Sequence, residues 1–258
     1  MADFDTQRSL QKNRIRRRGI YLLPNLFTTA ALFAGFYAIV QAMNLRFGQA
    51  AVAIFVAMVL DGLDGRVARL TRTQSAFGAE YDSLSDMVSF GAAPALIVYE
   101  WALKGMGKLG WIAAFVYVAG AALRLARFNV MLDVADKRWF TGIPSPAAAA
   151  LVAGLVWIVD DLGRDPIELK WWAWSVTLFA GLTMVSNVPY YSFKTINLKK
   201  SVPFLAIFVF VLAIALLAVA PAIVLFAGFV GYALSGYVAA AWMWYARRRR
   251  RALSAPPP

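Results

Sequence analysis

Five carboxylates crowd into 26 residues of this chain: Asp61, Asp64, Glu80, Asp82 and Asp86. The same chain has neither Cys nor His. That removes disulfides, Cys- or His-ligated zinc, haem held by His, and nucleophile pairs of the Ser–His or Cys–His kind. Any metal must therefore be held by oxygen. Any proton transfer must use a carboxylate, Lys, Tyr or water.

Helical spacing gives the acids a common direction. At about 100° per residue, with Asp61 at 0°, Asp64 falls near 300°, Gly65 near 40°, Ala68 near 340° and Arg69 near 80°. One face then carries two acids, two residues with almost no side chain, and a guanidinium. Asp82 and Asp86, four apart, stack on a second helix, with Ser85 and Ser89 assigned to the same face. The stretch between, Leu70 to Tyr81, reads as a short turn that brings the two faces together. Four such carboxylates need counter-charge, and the natural partner is a hard divalent cation, Mg²⁺ or Mn²⁺. Four aspartates can hold two ions, and a pair about 3.5–4 Å apart is the clamp used for in-line displacement at phosphorus. Gly65 and Ala68 leave room for a ligand, and Arg69 suits phosphate oxygens. A plainer alternative is a structural charge network with Arg66, Arg69 and Arg72.

The elements that must position these groups are apolar. Of 258 residues 61% are hydrophobic and 16% charged, against roughly 45–50% and about 25% in average soluble domains. Eight apolar segments, about 20–43, 47–70, 82–103, 109–131, 142–159, 171–190, 202–219 and 222–246, are each long enough for a membrane-spanning helix. The expected fold is therefore all-α and polytopic, with about eight transmembrane helices. Residues 1–19 form a basic N-terminal segment without the apolar region of a cleavable signal, 20–246 a transmembrane catalytic domain, and 247–258 a basic tail. With eight spans both termini share one side, which receives 21 of the 26 Lys and Arg residues and leaves five for the other. That asymmetry puts both termini in the cytoplasm. It also accounts for the net charge of +12 without a nucleic-acid partner. Trp101, Trp111, Trp171, Trp172, Trp242 and Trp244 read as interfacial belt residues.

The residues Asp61-Gly-Leu-Asp64-Gly65-Arg-Val-Ala68-Arg69, followed by Gly78, Asp82 and Asp86, fit the pattern D-x2-D-G-x2-A-R-x8-G-x3-D-x3-D without departure. The chain thus resembles the CDP-alcohol phosphotransferase family. The resemblance implies transfer of a phospho-alcohol or phosphatidyl group from a CDP-linked donor to an alcohol, with release of CMP. It also implies a six-helix core, here followed by two C-terminal helices, a dimetal site of Asp61, Asp64, Asp82 and Asp86, and frequent homodimers. Asp86 takes the role of general base. Gly65, Ala68, Arg69, Gly78, Asn25 and Thr28 are the residues expected along the donor. Four further stretches narrow the resemblance to members using CDP-diacylglycerol and L-serine: Leu23–Thr28, Ser83–Pro94, Arg124–Asn129 and Phe140–Pro146. They imply a lipid-embedded enzyme of a bacterial cytoplasmic membrane, its site on the cytoplasmic face.

The serine carboxylate asks for a cation, and Arg124 and Arg127, with Asn129 as a polar contact, are the candidates. Ordinary positive-inside placement explains the same arginines. Asn25 either caps a helix start or faces the nucleotide; Ser145, between two prolines, and Asn187, near Pro189, read as a helix start and a kink. Rival acceptors are choline, glycerol 3-phosphate or an inositol compound. A divalent-cation transporter is the rival from another class, since intramembrane carboxylates also mark ion pathways. About 21 Å of helix precedes Asp61 from the outer side, which places it beyond the midplane and favours the enzyme.

Overall fold

The computed structural model describes residues 24–71, 73, 75–131, 139–191 and 204–253; the basic segment 1–19 and Arg72 lie outside them. The order is α1 (Pro24–Met43), α2 (Phe47–Thr71), α3 (Ala76–Asp86), a π-helical stretch (Met87–Ala92), α4 (Ala93–Val98), a second π stretch (Tyr99–Leu103) and a short 3₁₀ turn (Lys104–Met106). After these come α5 (Lys108–Met131), β1 (Trp139–Thr141), α6 (Ser145–Asp161), α7 (Lys170–Val185), β2 (Pro189–Tyr191), α8 (Phe204–Val219) and α9 (Pro221–Leu253). Prolines open α1, α6 and α9, where the missing N–H costs nothing. The Ala220–Pro221 boundary separates the last two helices as read from the sequence, and α9 runs on as helix through Arg247–Arg251.

Three described helices are long and apolar enough to cross a membrane: Pro24–Met43, Lys108–Met131 and Pro221–Ala246. The other expected spans differ for physical reasons. Helices α6 and α7 have 17 and 16 residues, and the third segment is divided by its π stretches.

Small residues let the helices approach closely. Helix α6 is central, with Ala147 to Ala150, Val152, Ala153 and Val156 buried against α2, α7 and α9. A Cβ added at Gly120 of α5 would stand 2.4 Å from the Gly181 carbonyl of α7. Phe55 of α2 meets Trp157 of α6 at 5.4 Å and Phe229 of α9 at 6.2 Å between ring centroids. Outward faces expose Phe33, Phe36, Phe115 and Leu123, as a lipid-facing surface should.

Two expectations need correction. The stretch 70–81 is not all turn: α2 runs to Thr71 and α3 begins at Ala76, because Ser75 caps it by accepting the Gly78 N–H at 3.0 Å and Phe77 stacks on Tyr81 at 5.9 Å. Nor is the chain wholly α: β1 and β2 pair antiparallel, Trp139 with Tyr191, Phe140 with Tyr190 and Thr141 with Pro189.

Pro94 explains a further contact. It cannot donate to the Phe90 carbonyl four residues earlier; the Tyr117 hydroxyl of α5 donates to that carbonyl instead, at 2.9 Å, and is fully buried. The irregular stretch beside Asp86 is thereby fastened to α5. We expect Tyr117→Phe, which removes this bond, to cost about 0.5–1.5 kcal/mol, read as a lower thermal midpoint in detergent. An unchanged midpoint would show that the bond does not hold the π stretch.

Candidate active site

The end of α2 and the start of α3 bring the aspartates together. One carboxylate oxygen each from Asp61, Asp64 and Asp82 lies within 4.8 Å of the others. Asp64 is buried; Asp61 and Asp82 are half-buried. Thr28 of α1, itself buried, donates its hydroxyl to Asp64 Oδ2 at 2.8 Å, and Asp64 and Asp82 lie within hydrogen-bonding reach of each other. Asp86 is outside this trio. It ends α3 where the π stretch begins and meets the Asp61 carboxyl.

The donor set fits a hard cation. Octahedral Mg²⁺ takes oxygen ligands at about 2.1 Å, and three carboxylates already within 4.8 Å of one another are near enough to close on one ion. Asp82 Oδ1 and Asp86 Oδ1 are buried with no hydrogen-bond partner among the described residues. A buried carboxylate oxygen left so is costly in a purely structural network, and a divalent ion would satisfy it.

Around the acids the expected donor residues take distinct places. Arg69 folds back over Gly65, where an added Cβ would lie 3.5 Å from Arg69 Nη1, and its charge bears on Asp64. Ala68 is half-buried and its carbonyl accepts the Thr73 N–H at 3.1 Å. Gly78 faces Asn25: an added Cβ there would lie 3.4 Å from Asn25 Oδ1. Asn25 and Thr28 thus bring α1 to both ends of the α2–α3 junction. Ser85 and Ser89 use their hydroxyls on helix α1. They donate to the Thr28 and Ala31 carbonyls at 3.2 and 3.1 Å and fasten α3 and the π stretch to α1.

The two arginines of α5 separate. Arg124 donates to Ser145 Oγ at 2.6 Å, lies over the Phe128 ring at 5.5 Å, and is near enough for its charge to act on Asp86 and Asp61. Arg127 donates to Asn187 Oδ1 at 2.7 Å and to the Val185 carbonyl at 3.4 Å. Asn129 exchanges a hydrogen bond with Ser83 of α3, with Nδ2 to Oγ at 3.0 Å. Ser83, Ser145 and Asn187 are therefore the partners of Asn129, Arg124 and Arg127, a role for which the sequence did not single them out. Ser83 and Ser145 lie within two of the stretches that carry the resemblance, and Asn187 had only its place two residues before Pro189 as a signal. Tyr232 of α9 also lies near Arg124.

A family model described as CDP-alcohol phosphatidyltransferase matches residues 21–185. A Helicobacter pylori protein named CDP-diacylglycerol–serine O-phosphatidyltransferase is 41% identical over 182 residues, which are 70% of this chain and 77% of that protein. A Mycobacterium leprae protein of the same name is 34% identical over 209 residues, 77% of this chain and 67% of the other. One from Methanocaldococcus jannaschii is 37% identical over 137 residues, 53% of this chain and 61% of its own.

The Thr28–Asp64 bond predicts a measurable effect on metal affinity. Partners that orient ligands are worth about 10–100-fold in affinity, so Thr28→Val should weaken Mn²⁺ binding by about tenfold. Titration of the free-ion electron paramagnetic resonance signal measures this without turnover. Equal affinities would detach that bond from any metal-holding role.

Proposed function

This chain belongs to the CDP-alcohol phosphatidyltransferase family, and on that premise we propose that it transfers the phosphatidyl group of CDP-diacylglycerol to the hydroxyl of L-serine, giving phosphatidylserine and CMP. The observation that carries this reading is the convergence of Asp61, Asp64 and Asp82, with Asp86 beside them, in a chain whose relatives bear that enzyme's name.

Asp61, Asp64, Asp82 and Asp86 are the residues that would hold Mg²⁺ or Mn²⁺, two ions in this reading, and such ions supply charge neutralisation and orientation of the pyrophosphate. The protein's own groups do the rest. Gly65 and Ala68 leave the α2 surface low enough for the nucleotide to lie against it. Arg69 binds the phosphate oxygens through its planar fork. Asn25 and Gly78, next to each other at the junction, border the donor with Thr28. Asp86 takes the proton from the serine hydroxyl, help worth roughly 10²–10⁴ in rate; its place outside the oxygen trio, with one buried oxygen unanswered, supports this division of labour. The serine oxygen attacks the phosphorus carrying diacylglycerol, the bond to CMP breaks, and both substrates are bound together. Arg124 and Arg127 receive the serine carboxylate, and Asn129 adds a polar contact.

The reading has eight helices across the cytoplasmic membrane, six in the core and α8 and α9 appended, with the diacyl tails left in the bilayer and a homodimer as the assembled form. Its support is the 21-to-5 division of basic residues and the lipid-suited outer faces. Both termini and the site then share the cytoplasmic side.

Asp86→Asn is expected to abolish transfer while CDP-diacylglycerol still binds; near-normal turnover would remove Asp86 from the role of base. An acceptor screen with labelled CDP-diacylglycerol, with Mn²⁺ and with chelator, tests the whole reading. Serine should be the preferred acceptor and chelator should stop the reaction. Preference for choline, glycerol 3-phosphate or an inositol compound would reassign the acceptor.

A further inference from the structure

Arg124 and Arg127 are three residues apart on α5, yet their partners come from two other places in the chain. Ser145, fully buried in the first turn of α6, accepts from Arg124. Asn187, in the link from α7 to β2, accepts from Arg127, helped by the Val185 carbonyl at the end of α7, where the helix dipole favours a cation.

The segments carrying these partners are bound to each other. Beyond the β1–β2 ladder, the Gly142 N–H donates to the Val188 carbonyl at 2.8 Å and the Ile143 N–H to the Thr183 carbonyl at 3.3 Å. Gly142 has φ of +80°, and a Cβ on it would stand 2.3 Å from the Met184 carbonyl. A side chain is thus excluded where the strand turns into α6. The bond from Gly142, three residues before Ser145, to Val188, one after Asn187, ties the backbone across, so the two acceptor groups move as one unit.

We propose that Ser145 and Asn187 are positioning residues for acceptor selection, and that the β1–β2 clasp sets the spacing of the two guanidinium groups they hold. This rests on the reading of serine as acceptor. A free arginine side chain loses rotamer freedom when it is fixed. Here the protein has already fixed both, so a carboxylate meets a preformed pair of cations. An acceptor without a carboxylate, such as ethanolamine, gains nothing from that arrangement. The clasp therefore acts on serine preference and leaves donor binding alone.

The test uses the full chain in lipid–detergent micelles with Mn²⁺, measuring transfer to L-serine and to ethanolamine at saturating CDP-diacylglycerol. Ser145→Ala and Asn187→Ala should each raise the serine KM by about tenfold. The KM for CDP-diacylglycerol should stay within twofold, so that preference for serine over ethanolamine falls by a similar factor. Asn187→Gln, which keeps a neutral amide oxygen for Arg127, should hold the serine KM closer to the wild-type value than Asn187→Ala does. Loss of kcat with an unmoved serine KM, parallel change in both KM values, or an unaltered preference would overturn the proposal. Wild-type protein that does not prefer serine overturns the acceptor reading and this proposal with it. Wild-type serine transfer with unmoved variants overturns this proposal alone.

Discussion

Carboxylates gathered where one helix ends and the next begins repel one another, and withdrawal from water makes each charge dearer still. The α2–α3 junction accepts that penalty three times within 4.8 Å and adds Asp86 next to it. Everything nearby is arranged around the cost. Thr28 answers one oxygen of Asp64, Arg69 bears on the same residue, and Arg124 approaches Asp86 from α5. Among the described residues Asp82 Oδ1 and Asp86 Oδ1 find no hydrogen-bond partner, and a divalent cation is the partner whose charge and oxygen preference match them. A phosphoryl-transfer site needs this condition: charge placed in advance where a pyrophosphate will come to lie.

The helices hold that junction through a few directional bonds within an otherwise smooth alanine-rich core. Helix α1 receives the hydroxyls of Ser85 and Ser89 on its carbonyls, and Gly35 gives Ser89 the room to sit there. Tyr117 takes over the bond that Pro94 cannot make. On the opposite side of the site, Ser145 and Asn187 reach the arginines of α5 from segments joined by a two-stranded clasp. In a core whose apolar packing is nearly featureless, such bonds decide register, because each buried donor or acceptor has one satisfactory position.

Much of the site was legible in the sequence, since α-helical periodicity alone aligns Asp61 with Asp64 and Asp82 with Asp86. The helical segments were legible too, because long apolar runs leave few alternatives. The sequence could not show that Ser85 and Ser89 spend their hydroxyls on the Thr28 and Ala31 carbonyls of α1, because those partners lie more than fifty residues away. The clasp was invisible, as three-residue strands carry no alternation that a sequence can display. The start of α3 depended on a single cap, Ser75, within a run rich in turn-forming residues. The partners of Arg124 and Arg127 lie 21 and 60 residues away, and no local pattern announces contacts at that distance.

The account stands or falls on what occupies the space between α2 and α3. Crystals of the protein grown with Mn²⁺ and CMP, with data collected at the manganese absorption edge, measure this directly. The account predicts anomalous density bounded by Asp61, Asp64 and Asp82, with Asp86 at its edge and the nucleotide against Gly65 and Ala68. Density located elsewhere, or these aspartates turned apart onto guanidinium partners with nucleotide present, would contradict it.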